Sequence, residues 1–487
     1  MKKIIITIFC SFLCVLSGAV TFDVAGIRYE ITSMEAREVV VAIIPKSISY
    51  PTYSTYSGDI TIPESVEFNN VKFKVIGIGK NAFSECSKLG KITMPKSIKS
   101  IDFGAFSRSN IDTITIHEGI EYIGAAAFHD CQNIKYITLP KSIQNLESDV
   151  FRDCTGLRGV KILTDNLTEI PDDTFEGCSS LENFVIPSSV TRLGAAAFMG
   201  TGKLSKLEIP NSVKIIGNSC FYRSGIESLV IPDAVTELNG QMFYYCNRLK
   251  TIKLPSNLKE LTKNEFRGCS VLESIDIPKG IKNIPSYCFY ECYNLKDITL
   301  PSSIEFIGDD AFTYCQNIEN VKIPEGVKYI YSEAFYGCKI NQLLLPSSLE
   351  KIGGWAFGIS ELKELILPVS LKEIGTEAFN SGRIEKIVCL SPVPIECENS
   401  IFSNDTYLYS TLVVPQGCLD LYKSTNPWKN FFNIQQNTQT HITEIANIKK
   451  NETDKFVNIN GQEGKRPFNG INIIRMKDGK TKKVIVR

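Results

Sequence analysis

Phenylalanine recurs along this chain with a period that leaves little freedom in how it can fold: Phe83, Phe106, Phe128, Phe151, Phe175, Phe198, Phe221, Phe243, Phe266, Phe289, Phe312, Phe335, Phe357, Phe379 and Phe402. Every step is 22, 23 or 24 residues. A repeat of this size specifies stacked units that touch only their neighbours, rather than separate domains. Length alone points elsewhere, since 487 residues at about 150 per domain would make three domains. The period overrides that estimate.

The surroundings recur too, as in Leu295-x-x-Ile298-x-Leu300-Pro301-x-Ser303-Ile304-x-x-Ile307-Gly308-x-x-Ala311-Phe312-x-x-Cys315. In Leu-x-x-Ile-x-Leu-Pro the last apolar residues alternate as on a half-buried strand. Proline then ends the strand, having no N–H to give the ladder. Ser-Ile-x-x-Ile-Gly predicts a second short extended piece. Ala-Phe-x-x-Cys turns the chain back, with Phe filling the coil. One coil cannot bury its own apolar face, but stacked coils share a continuous core. About fourteen coils at roughly 4.8 Å spacing predict a solenoid on the order of 65–70 Å long.

This motif resembles the BspA-like leucine-rich repeats of bacterial surface proteins, over about residues 58 to 435. The resemblance implies a right-handed leucine-rich-repeat horseshoe with a parallel β-sheet on its concave face. It also implies a surface or secreted adhesion role, with extracellular-matrix proteins among the partners. His117 and Thr164 stand where proline usually does.

The ends differ from the repeat. Lys2 and Lys3, the apolar run Ile4 to Leu16 and Ser17-Gly18-Ala19 predict a secretory signal peptide over residues 1–19. Cys14 follows Phe12-Leu13 rather than small residues, which argues against lipid anchoring there. No later segment reaches eighteen apolar residues, so no transmembrane span is expected in the mature chain. Residues 20–57 predict an N-terminal β-hairpin cap, built on Phe22 to Ile31 and Val39 to Ile44. Asn69-Asn70 predicts a further hairpin turn. Leu412-Val413-Val414-Pro415 is a last strand, and Leu419, Tyr422, Trp428, Phe431 and Phe432 suggest a helical or irregular lid. Residues 436–456 are polar and read as a linker. Residues 457–487 predict a small β-module with two strands around Asp478-Gly479. This tail resembles the C-terminal sorting domains of the Por-type secretion pathway, which implies an export or anchoring address.

Composition narrows function. Lys plus Arg and Asp plus Glu are each 53, so no broad field favours nucleic acid. Three histidines (His117, His129, His441) leave little for zinc or histidine-based catalysis. Sixteen cysteines are many, but nine fall three residues after the repeat phenylalanine: Cys86, Cys131, Cys154, Cys178, Cys246, Cys269, Cys292, Cys315 and Cys338. Ser109, Thr201, Ser224 and Ser360 take that place elsewhere. Stacked equivalents at roughly 4.8 Å with parallel Cβ vectors suit a disulfide poorly, so free buried thiols are expected.

Several motifs imitate sites. Gly77-x-Gly79-x-x-Ala82 mimics a dinucleotide fingerprint but opens an ordinary repeat turn. Cys288-x-x-x-Cys292 suggests a metal clip, yet Cys288 merely occupies the alanine slot before Phe289. Gly479-Lys480-Thr481 lacks the upstream glycine of a phosphate loop. No catalytic, cofactor or metal residues are assigned, and no enzymatic activity is expected.

Two columns remain as candidate binding surfaces. The outward strand position is polar early in the repeat and turns apolar at Leu344, Ile366 and Val388. Either a partner or the C-terminal cap could cover such a patch. Tyrosines concentrate between 222 and 336, and Tyr222, Tyr244, Tyr245, Tyr290, Tyr314 and Tyr336 follow the repeat phenylalanine closely. Stacking would align them into a stripe that either engages a partner or stiffens the coil edge. The expected partner is a host or matrix protein, with a glycan as a further candidate. The alternative is an envelope or intercellular scaffold binding its own kind or surface glycan.

Overall fold

The computed structural model describes residues 19–47 and 50–437, together with the strands Thr453–Asn458, Glu463–Gly464, Gly470–Met476 and Thr481–Val486. Residues 1–18 of the expected leader, 438–452 of the expected linker and the Asp478-Gly479 turn lie outside the described residues. The repeat forms a parallel-strand solenoid of about sixteen turns with little helix. Contacts divide the chain into two compact units, Met1–Ile281 with Tyr287–Thr299 and Lys282–Ser286 with Leu300–Arg487.

The turn count exceeds the expected fourteen because flanking segments adopt the ladder without the repeat motif. In the first unit, Thr21–Val24 pairs antiparallel with Ile27–Ser33, which pairs antiparallel with Glu38–Val41. Glu38–Val41 then runs parallel to Val71–Ile78 and so passes its edge to the first coil. That hairpin covers an edge which would otherwise invite aggregation. Asn69 and Asn70, at φ 49° and 61°, join Ser65–Phe68 to Val71–Ile78 in the tight turn expected of them. In the second unit Asn433–Gln436, which carries no repeat phenylalanine, adds a strand parallel to Thr411–Val414.

Two parallel columns run through the coils. The Leu-x-x-Ile-x-Leu pieces stack as Tyr136–Leu139, Gly159–Ile162 and Asn183–Phe184, and again from Ser228–Val230 to Asp297–Thr299. Two-residue strands form the other column, such as Glu169–Ile170, Arg192–Leu193 and Ile215–Ile216. In the second unit the short column runs from Asn283–Ile284 to Glu373–Ile374 in five strands. Gly77 and Gly79 of the false fingerprint belong to this packing: a Cβ on Gly79 would lie 2.7 Å from the Val41 carbonyl.

The third side is a ladder of turns. Around Phe83, the N–H groups of Asn81, Phe83 and Glu85 donate to the carbonyls of Phe103, Ala105 and Ser107 on the next coil. Alternate residues must reverse their backbone for this, so positions two before and two after phenylalanine take positive φ. Asp149 and Asp153 do so around Phe151, as do Asp173 and Gly177 around Phe175. Left-handed backbone costs a non-glycine residue roughly 1–2 kcal/mol, and the inter-coil bonds hold it there.

Phenylalanine rings fill the core. In the first unit Phe106 and Phe128 lie 5.4 Å apart with planes 1° from parallel, and the stack continues to Phe289. In the second, Phe312, Phe335, Phe357, Phe379 and Phe402 stack at 5.0–5.8 Å. Such pairs add about 0.5–1.5 kcal/mol each beyond area burial.

The cysteine column is hydrogen-bonded between coils. Past Cys86, whose thiol turns to Ser84 O in its own coil, thiols of the column donate to the phenylalanine carbonyl one coil back: Cys131 to Phe106 at 3.0 Å, Cys178 to Phe151 at 3.0 Å, Cys246 to Phe221 at 2.9 Å. In the second unit Cys338 donates to Phe312 at 3.1 Å. The described cysteines are free thiols. Serine does similar work after the proline, where Ser189 Oγ donates to Leu167 O and Ser212 Oγ to Val190 O, both at 2.7 Å. Thr164, standing in a proline position, turns its hydroxyl to Ile143 O at 2.9 Å.

A cap closes the second unit. Ser403 caps the helix Asn404–Tyr409, and Leu419–Ser424 forms another. Trp428 Nε1 donates to Ile395 O at 2.7 Å, and Tyr422 Oη to Ser391 O at 2.8 Å. Phe431 packs on Phe402 and Tyr407. Phe432 departs from the expected lid, being 86% exposed, because its N–H is tied to Tyr407 O and its ring points outward. The described tail strands pair antiparallel among themselves.

Candidate functional site

The outward strand column places Leu344, Ile366 and Val388 where expected. Leu344 is in register with Lys322, and Ile366 with Val388, on parallel strands of the second unit. All three are half-buried. Leu344 and Ile366, with Pro368 and Leu390, line an open groove of about 710 Å³ whose polar rim includes Glu325 and Glu364. Val388 is outside that lining but continues the column to Val413, its register partner. Val413 was missed in the sequence because it stands 11 residues after Phe402, whereas Leu344, Ile366 and Val388 each stand 9 after their phenylalanine. The outward position is not uniformly polar earlier: Val185 and Val230 are singly exposed, as ordinary surfaces allow.

The tyrosine column separates by unit. In the first, Tyr222 and Tyr244 stack at 5.1 Å with planes 2° apart, and Tyr245 meets Tyr244 edge-on at 4.7 Å. Arg267 occupies the next place in this column and lies 5.7 Å from the Tyr244 ring and 4.5 Å from the Tyr290 ring. Arg223 lies over Tyr222 and Tyr245, and Lys263 over Tyr287. Tyr245 Oη donates to Glu291 at 3.3 Å. In the second unit Tyr314, Tyr336 and Trp355 form an edge-on chain. The tyrosines thus do stack on one another, and the basic residues threaded among them were the unread part. Their signal was available, since Arg267 sits immediately after Phe266, where Tyr222, Tyr244 and Tyr290 follow theirs.

Earlier coils carry a different chemistry in the same column. Arg108 pairs with Glu85 and Asp130, and Arg152 with Asp149 and Glu176. His129 is a turn residue 3.7 Å from Asp153. Among the described residues no group of three His, Cys, Asp or Glu side chains is placed to hold a metal ion. Cys288 and Cys292 are wholly buried, and burial pushes both thiols up, which leaves neither as a ready ligand or nucleophile.

One carboxyl breaks the coil pattern. Glu265 takes the alanine slot before Phe266 with no solvent exposure. The Thr262 hydroxyl donates to its Oε2, while Oε1 has no partner among the described residues. Burial pushes this carboxyl up to about 8, so it is largely protonated at neutral pH.

Comparison with known proteins gives the repeat its relatives. The model of the BspA type leucine rich repeat region matches in six copies, over residues 58–181, 168–296 and 282–409. A leucine-rich repeat protein from Bacteroides ovatus is 24% identical, with 86% of this chain and all of that one covered, at a TM-score of 0.47. A leucine rich cell surface protein from Faecalibacterium prausnitzii is 20% identical, covering 86% and 98%, at 0.35. The pneumococcal vaccine antigen PcpA is 19% identical, covering 87% and 100%, at 0.31. No protein of curated function matches.

Proposed function

The chain belongs to the BspA-type leucine-rich repeat family, and from that membership we propose that it is a non-enzymatic, exported surface protein that recognises a host or extracellular-matrix protein. The carrying observation is the outward apolar column Leu344, Ile366 and Val388, beside a groove rimmed by Glu325 and Glu364. An apolar centre with a polar rim is how protein interfaces are built. The tyrosine column, Tyr222, Tyr244, Tyr245 and Tyr290 in one unit and Tyr314 and Tyr336 in the other, supplies a second recognition surface.

Residues 1–19 are assigned as the leader, 20–57 as the cap, 58–435 as the repeat, 436–456 as linker and 457–487 as a sorting or anchoring tail. The tail's antiparallel pairing supports treating it apart from the parallel repeat. No helix among the described residues is long and apolar enough to cross a membrane.

A scaffold role is the second reading, favoured by Asn433–Gln436, which is the last strand of its sheet among the described residues and so a place where a strand could add. Pull-down of the exported chain against a panel of matrix proteins, alongside light scattering, separates the two. Saturable matrix binding by a monomer supports recognition; self-association without matrix binding supports the scaffold.

A further inference from the structure

We propose that the tyrosine side of the first unit, from Tyr222 to Tyr290, binds an acidic saccharide, a chain of sugars bearing carboxylate or sulfate. The assignment builds on the recognition role above and names the ligand of one of its surfaces.

Charge carries the first half. Arg108 and Arg152 stand two places and one place after the phenylalanine of earlier coils, and carboxylates on the same or adjacent coils pair with them. Arg223 and Arg267 hold the same two places in later coils and lie over rings instead. Among the described residues neither they nor Lys263 has a carboxylate within ion-pair distance, and Arg267 Nε is buried without a hydrogen-bond partner. Glu291, an acid at this edge, is engaged by the Tyr245 hydroxyl. Arg223 is exposed and Arg267 half-buried, and a guanidinium with no carboxylate partner offers its remaining N–H groups to carboxylate or sulfate oxygens.

Ring geometry carries the second half. Tyr222 and Tyr244 are parallel, 5.1 Å apart, and Arg267 bridges Tyr244 to Tyr290. Their amphipathic faces suit the apolar faces of sugar rings and their hydroxyls suit sugar hydroxyls. Coils advance by roughly 4.8 Å, close to the length of one pyranose in an extended chain, so successive sugars would meet successive coils in register. One face of an extended acidic peptide instead repeats every ~6.7 Å and falls out of step. The saccharide is therefore favoured over the peptide.

The test is calorimetric titration of the exported chain with four probes: an oligogalacturonate, a heparin-derived oligosaccharide, a neutral galactan oligosaccharide and poly-glutamate. Arg223→Gln, Arg267→Gln and Tyr290→Ala are measured beside it, each shown folded by an unchanged thermal transition. The expected result is binding of one or both acidic sugars, weakened at least tenfold in each variant and by added salt. Carboxylate dependence appears with oligogalacturonate, sulfate dependence with the heparin probe alone. Equal binding of the neutral sugar, equal binding of poly-glutamate, or no sugar binding overturns the proposal. Matrix-protein binding is measured on the same variants. Loss of it in Tyr290→Ala without sugar binding would remove the saccharide and leave recognition standing; no binding of any kind would remove both.

Discussion

The thiol of Cys154 donates to the carbonyl of Phe128 at 3.0 Å, one coil back along the solenoid. That carbonyl already accepts the Cys131 N–H at 3.2 Å, so the thiol uses its second lone pair. The bond explains why sulfur fills a slot that needs both bulk and a weak donor.

Cys154→Ala removes that bond and leaves a small void, with an expected loss of about 1–2 kcal/mol by urea denaturation. Cys154→Ser keeps a donor and loses less. Burial pushes Cys131 up to about 12 and Cys246 up to about 11, so thiol reagents at neutral pH should label these positions only after unfolding. Fewer than half the cysteines titrating as thiols in non-reducing denaturant would contradict the ladder.

Glu265 makes stability fall with pH. Its folded carboxyl sits near 8, against about 4.3 when unfolded, so the folded state binds more protons between those values. Its contribution is fully present below about pH 4.3, declines at up to about 1.4 kcal/mol per pH unit, and is lost above about pH 8. Glu265→Gln should flatten that decline in urea midpoints taken from pH 5 to 9. Parallel curves for the two proteins would show the carboxyl ionised or solvated.

Ile359 occupies the second positive-φ place of its coil, at 62°, while 55% exposed. Gly177, Gly200, Gly268 and Gly337 take that place in other coils. Ile359→Gly relieves the left-handed penalty and loses some unfolded-state restriction, for a net gain of about 1 kcal/mol. An unchanged or lower thermal midpoint would mean the side chain contributes packing that outweighs the strain.

The coil was legible because each copy repeats the same burial problem, so Phe, Ile and Pro recur where the core demands them. The hairpin turn at Asn69-Asn70 was legible from local chemistry, because both asparagines accept positive φ. The turn ladder was not, because Asp149, Tyr245 and Trp355 take positive φ under inter-coil hydrogen bonds that no single copy reveals. The groove beside Leu344 and the insertion of Arg267 between tyrosines arise from stacking different coils. They need the register, which the period implies but does not display.

Recognition is proposed to reside where the outward columns depart from the repeat. The measurement that decides it is equilibrium binding of the chain to each matrix protein of the panel, compared with a Leu344→Asp, Ile366→Asp, Val388→Asp triple variant. These half-buried positions tolerate the change if the thermal midpoint shifts only slightly, and that is measured first. The expected result is a folded variant whose affinity drops at least a hundredfold, since losing an apolar interface centre costs several kcal/mol. A folded variant that binds as tightly as the parent would contradict it.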